Sequence, residues 1–226
     1  MNLRIFSTIL LLSFCHAQWI DLDLTPELGT GFKGQVAPLI QGLALATTVS
    51  STRSVTHNHR IAVSGTMINL HSNAFRGSFP LVSGLVAAAK NLTLSGSLAA
   101  FRSDNDIVLH TGYGLGIVPG ESPWEISLHV GTLQGSRNLR LHSLQLAATY
   151  GTSLGSVPLD FQFGFIDTRA TFSFPGVADA PKTLNRRFYA LQLATAKEWG
   201  TILFVPKLIW HPEVVLLSLE TRLNIY

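Results

Sequence analysis

The stretch 212–226, PEVVLLSLETRLNIY, decides the fold class. Taken two residues at a time, Val215, Leu217, Leu219, Leu223 and Ile225 share one parity, with Thr221 its only polar member; Ser218, Glu220, Arg222 and Asn224 share the other. Successive strand side chains point to opposite faces, so this is a strand with one apolar and one polar side. The same alternation recurs upstream. VPLDFQFGFI sets Val157, Leu159, Phe161, Phe163 and Phe165 against Asp160, Gln162 and Gly164. Before it, Trp124, Ile126, Leu128 and Val130 oppose Glu125, Ser127, His129 and Gly131. In IVLHTGYGLGIV, Ile107, Leu109, Tyr113, Leu115 and Ile117 oppose His110, Gly112, Gly114 and Gly116, and NLTLSGSLAAF repeats the pattern with Leu92, Leu94 and Leu98. HRIAVSGTMINLH opens the alternation at His59, and RFYALQLATAKEW and TILFVPKLIW precede the last strand. Two stretches break the rule. Leu81 to Lys90 is apolar without a period, which suits a strand or a short helix, and LRLHSLQLAATYG switches apolar parity near Ser143, where a bulge is expected.

A chain of 226 residues suits one domain. Charged residues make up 13% and hydrophobic ones 46%, a poor mixture for covering a water-soluble monomer. The net charge of +3 is scattered without basic runs, which argues against a nucleic-acid partner. Residues 1–17 read as a signal peptide: Arg4, the apolar IFSTILLLSF, then Cys15-His16-Ala17, with Gln18 starting the mature chain. A lipoprotein signal needs a small residue before the cysteine, and here Phe14 stands there. Cleavage after Ala17 removes the only cysteine and with it any disulfide or thiolate site. Beyond the signal, the longest apolar candidate, VAPLIQGLALATTV, is interrupted by Pro38, Gln41 and Gly42, too soon for a membrane-spanning helix. Lipid accepts only helices and closed sheets, because backbone polar groups must be satisfied within the protein.

The closing strand, ending on an aromatic residue, resembles that of bacterial outer-membrane β-barrels, although Tyr226 falls on the polar parity. The resemblance implies an all-β, antiparallel transmembrane β-barrel of eight to ten strands in the bacterial outer membrane. Its implied partners are the lipid bilayer and the barrel-assembly machinery, which reads the C-terminal strand. Its implied roles are passive porin-like passage, passage of a hydrophobic solute, or a surface and scaffold function. Residues 58–226 are expected to form the barrel and 18–57 a helical lumen plug or a first strand. Within that segment Thr25-Pro26-Glu27 looks like a helix start, and a further helical stretch fits Gln35 to Ala46. A loop is expected from Asp167 to Arg186, and Trp124, Tyr150, Trp199, Trp210 and Tyr226 fall near strand ends, where aromatic girdles lie. The competing class is a secreted β-sandwich that binds carbohydrate or protein.

No cofactor motif is present: there is no phosphate-binding glycine loop, zinc-protease helix or serine elbow. His110, His129 and His142 sit on three consecutive strands, so they are a candidate metal trio, set against an ordinary wet lumen. His57 and His59 form a second pair, read as a solvated loop. Lipid-modifying outer-membrane enzymes use His with Ser in a His-x-Ser arrangement, and neither His71-Ser72 nor His142-Ser143 has that spacing. The reading is therefore not an enzyme, with a lipid-modifying hydrolase kept as an alternative. Arg140, Asp160, Glu220 and Arg222 take polar-parity positions, where a filled barrel requires mutual pairing. The small inward residues Gly112, Gly114, Gly116, Gly131, Ala190, Ala194 and Ala196 leave volume for a plug drawn from Thr25 to Thr48, which would make conduction poor.

Overall fold

The computed structural model describes residues 19, 22, 32–49, 61–72, 75–103, 106–135, 139–174 and 183–225. Among the described residues there is one helix, α1 (Phe32–Thr48), followed by strands β1 (Ile61–Ser72), β2 (Arg76–Ala89), β3 (Leu92–Ser103), β4 (Asp106–Ile117), β5 (Trp124–Gln134), β6 (Leu139–Leu154), β7 (Val157–Phe172), β8 (Thr183–Thr195), β9 (Lys197–Trp199), β10 (Ile202–His211) and β11 (Val214–Ile225). The expected signal peptide, Thr25-Pro26-Glu27, His57, His59 and Tyr226 lie outside the described residues.

Each strand pairs antiparallel with the next, and β1 closes on β11 from Ile61↔Ile225 to Ser72↔Val214. Strands β8 and β9 form one stave broken at Ala196, both pairing with β10, so the sheet is a closed barrel of ten staves. The β2–β3 seam is paired only from Val82↔Leu98 to Ala89↔Leu92 and the β8–β10 seam only from Leu191 to Ala194, so the ladder closes around the C-terminal half of the barrel, where it meets the condition for a β structure in lipid. The C-terminal rim holds Ile61, Ile225 and the connections 90–91, 118–123, 155–156 and 200–201; the far rim holds the strand ends Ser72, Arg76, Ser103, Asp106, Gln134, Leu139, Phe172, Thr183, His211 and Val214. Gly155 and Gly200 make tight turns possible at the C-terminal rim with φ of 61° and 65°, a conformation that side chains disfavour.

The alternation in β11 orients it as its sequence requires. Leu217 and Leu219 are 58% and 49% exposed, with Ser218 between them at 4%. Trp124, Ile126 and Leu128 on β5 and Phe161 and Phe163 on β7 also face outward. Strand β6, by contrast, has no bulge. Its register is continuous against both neighbours, and Leu139, Leu141, Ser143 and Gln145 all point inward while Arg140, His142, Leu144 and Leu146 point outward. Parity is constant; the chemistry of the two faces is what inverts along the strand. The same inversion shortens the expected loop 167–186, because β7 continues to Phe172 and β8 begins at Thr183, with Ala170, Phe172 and Leu184 buried inside. The bulge that does occur lies in β2, between Ala87 and Ala89 opposite β3.

Helix α1 lies in the lumen, so this part of the N-terminal segment is not a first strand. Phe32 packs edge-on to Phe172 and Phe174 at the far rim, with ring centroids 5.3 and 5.6 Å apart. At the other end Thr47 abuts Gly131, and Thr48 and Val49 stand beside Ser83 and Leu85. The helix thus enters from the far rim and runs toward the rim where β1 begins. Its 17 residues span about 25 Å. Pro38 is tolerated because the carbonyl it leaves without a helical partner belongs to Gly34, an exposed position. Gly42 lets the helix approach the wall, since a Cβ there would meet Phe75, Leu70 and Val214.

The irregular stretch in β2 has its cause here too. Phe79, Leu81 and Leu85 face the filled lumen while Val82 and Val86 face outward, so both parities are apolar. Strand β2 pairs with β3 only between Val82↔Leu98 and Ala89↔Leu92. Pro80, which has no N–H, lies beyond that seam's end. There the chain's beginning steps in: Trp19 bridges to Ser78, and the Leu22 N–H donates to Ser103 Oγ at 2.8 Å.

Candidate functional site in the lumen

The interior divides into two zones. Toward the far rim it is dry: Ile40, Leu43, Ala44 and Ala46 of α1 are 0% exposed and pack in one cluster with Leu70, Phe79, Leu133, Leu141, Ile166 and Phe172. Toward the C-terminal rim it is polar. Glu125, Thr149, Gln162 and Gln192 stand opposite one another in a single row across β5 to β8. Among the described residues, Ser127 Oγ, Gln145 Oε1, Thr149 Oγ1, Gln192 Nε2 and Ser218 Oγ are buried without a protein hydrogen-bond partner. Groups of this kind suit a small polar guest or water.

Beside that row an ionic cluster crosses β10 and β11. Lys207 Nζ lies 2.7 Å from Glu220 Oε2, and Arg222 Nε donates to Glu220 Oε1 at 3.0 Å, with side chains 1 to 4% exposed. Asp160 on β7 adds a second negative charge close enough to act on Lys207. Two cations thus face two carboxylates, which keeps a buried, low-dielectric group of charges neutral. Glu220 and Arg222 pair as their parity requires. Arg140 does not join them, because it faces outward on β6. Lys207 was missed in sequence; its signal is a lysine on the inward parity of FVPKLIW, facing Ser218 across the β10–β11 pair.

The three histidines are not brought together. His110 and His129 point into the lumen, whereas His142 is on the outer surface, its Nδ1 3.3 Å from Thr132 Oγ1. His110 pairs with Leu133 and His129 with Gly114, a four-residue offset of about 13 Å along the strands. Among the described residues no group of His, Cys, Asp or Glu is placed to hold a metal ion.

Instead His110 contacts a serine from another strand. Its Nε2 is 3.1 Å from Ser97 Oγ, and its Nδ1 is 3.1 Å from the Thr132 carbonyl. A carbonyl can only accept, so in the neutral ring Nδ1 donates and Nε2 accepts the Ser97 hydroxyl proton. That is the polarity of a Ser–His pair, yet the adjoining cavity is only about 20 Å³. With both ring nitrogens hydrogen-bonded, His110 is a satisfied buried histidine.

The small inward residues have defined occupants. A Cβ on Gly114 would collide with His129, on Gly116 with Glu125, on Gly164 with Gln145 and on Gly131 with Thr47 of α1. Large polar side chains lie across their glycine neighbours, and the helix takes one more place. The volume foreseen for a plug is therefore shared between α1 and the walls' own side chains.

A closed antiparallel barrel of ten staves with an apolar outer belt is the fold of bacterial outer-membrane β-barrels. Solved structures of that class match this chain. The translocator domain of autotransporter NalP from Neisseria meningitidis matches at 12% identity over 85% of this chain and 97% of that one, with a TM-score of 0.48. A bacterial polysaccharide outer-membrane secretin matches at 10% identity over 76% and 100%, and the KdgM porin at 8% over 73% and 99%, each with a TM-score of 0.41. No family model and no curated protein matches the chain.

Proposed function

We propose that the protein sits in the bacterial outer membrane as a barrel closed at rest by its own N-terminal helix, and that its standing role is that of an anchored surface platform. The observation that carries this reading is α1 itself, fully buried along Ile40, Leu43, Ala44 and Ala46 inside the barrel. A dry helix packed against the wall fills the far zone along these residues. The far rim, with its longest connection at 173–182, faces the exterior, and β11 is the strand read by the assembly machinery.

A second reading, gated passage of a small solute, draws on the polar zone and its unpartnered hydrogen-bonding atoms. Displacement of α1 would join that zone to the exterior. Planar-bilayer recordings separate the two. The intact protein should conduct poorly, and deletion of residues 24–48 should raise conductance while the heat-shifted gel mobility of a folded barrel is kept. Tying α1 to the wall with a short thiol cross-linker between Phe32→Cys and Phe172→Cys, positions whose rings touch in the native protein, should hold the channel shut even under conditions that open the wild type. Open-channel conductance in the cross-linked protein would remove the helix as the closure, and full solubility after osmotic shock would remove the membrane reading altogether.

A further inference from the structure

The outer wall of β5 to β8 and β10 carries two grooves, one above the other. The upper one, about 720 Å³, is lined by His142, Arg169 and Asn185 in one cross-strand row and by Leu144, Asp167 and Arg187 in the next row down. Arg140 projects outward two residues further toward the far rim. The lower groove, about 640 Å³, is lined by Trp124, Tyr150, Phe161, Phe163, Leu191 and Trp210, among others. Only the row of Leu128, Leu146, Phe165 and Tyr189 separates them, so their facing rows lie about 13 Å apart along the strands.

Charge and position agree. Asp167 accepts from Arg187 Nε at 3.2 Å, in a pair whose side chains are 40% and 75% exposed. With Arg140 and Arg169 beside it, this sector keeps a net positive charge of two from three arginines and one aspartate. On β6 the outward run from Leu144 to Leu154, apolar except at Thr152, spans about 33 Å along the strand, or about 25 Å across a bilayer at a tilt near 40°, the height of a barrel's apolar band. The arginines therefore begin where the hydrocarbon ends, at the level of lipid phosphates. Guanidinium forks bind phosphate in two-point contacts, and a partly dehydrated interface strengthens them.

We propose that this sector is a binding site for a membrane lipid with a phosphorylated, net negative headgroup. The headgroup lodges among Arg140, Arg169 and Arg187, and its acyl chains lie down the aromatic groove below. A free phosphate explains the upper groove alone; a lipid explains both grooves and their spacing. The inference rests on the membrane-spanning reading given above.

The test uses the full-length refolded protein in a neutral detergent, with heat-shifted gel mobility as proof of the barrel. Loss of that mobility shift in the wild type would sink the membrane reading; the steps below apply to the inserted barrel. Native mass spectrometry then compares bisphosphorylated lipid A and phosphatidic acid with diacylglycerol. Both phosphorylated lipids should be retained at least about tenfold better than diacylglycerol, and Arg169→Gln with Arg187→Gln should cut that retention about tenfold. Lys90→Gln, at the opposite rim, should leave it unchanged. Brominated acyl chains on the same headgroup should quench tryptophan fluorescence in the wild type, with the quenching lost in the Trp124→Phe, Trp210→Phe variant. Retention unchanged by the arginine substitutions, or equal retention of diacylglycerol, would overturn the site. So would equal competition by glycerol 3-phosphate, which would mark a free-phosphate site.

Discussion

The two halves of the barrel are built from the same strands with opposite chemistry. Near the C-terminal rim β6 turns Gln145 and Thr149 inward and Leu146 and Tyr150 outward; near the far rim it turns Leu139 and Leu141 inward and Arg140 and His142 outward. The first half is inside-out, as lipid demands, and the second is arranged like a soluble protein around a dry core. Helix α1 supplies that core, for a barrel of ten staves needs more than its own inward side chains to exclude water. On the membrane-spanning reading proposed above, the boundary between the halves marks the bilayer surface, and strands long enough to cross it change solvent partway along.

The largest effect should come from the polar half's ionic cluster. Glu220→Ala leaves Lys207 and Arg222 buried without their shared acid, and an unpaired buried charge costs about 3 to 5 kcal/mol. Denaturant unfolding of the refolded barrel reads this loss, and a cost below that of a surface change would mean that the cluster is solvated. Leu141→Ala tests the other half. It removes a fully buried side chain beside the helix and should cost about 2 to 5 kcal/mol, unless the far half is loosely packed.

Outward substitutions sharpen the comparison further. Leu219→Arg places a charge in the apolar belt at a cost of about 2 to 4 kcal/mol if it lies near the midplane, measured as folded yield or unfolding free energy. The same charge introduced by Thr171→Arg, outward on the far half, should be close to neutral. Equal damage at both positions would move the membrane boundary to the far rim. The smallest effect belongs to Arg187→Ala, which breaks an exposed pair with Asp167 and should change stability by less than about 1 kcal/mol.

The face assignments were readable because alternation is local: residues two apart share a face whatever the sheet does around them. Hence Leu217, Phe163 and Trp124 were placed outward correctly from their own neighbours alone. Where the solvent on both faces changes, the same rule misleads, and the inversion in β6 looks like a slipped register near Ser143. The expected loop at 167–186 fails for the same reason, since outward Asp167, Arg169, Asn185 and Arg187 read as loop polarity when they are strand residues in water.

The sequence by itself determined the strand parity and the barrel class, because each depends on composition or on spacing within a few residues. Tertiary structure alone decided that α1 fills the far half, that Lys207 meets Glu220, that Ser97 rather than another histidine meets His110, and that His142 faces outward from the barrel. These outcomes depend on register between strands and on what occupies the lumen. Both are set by contacts between residues far apart in the chain, which no local period encodes.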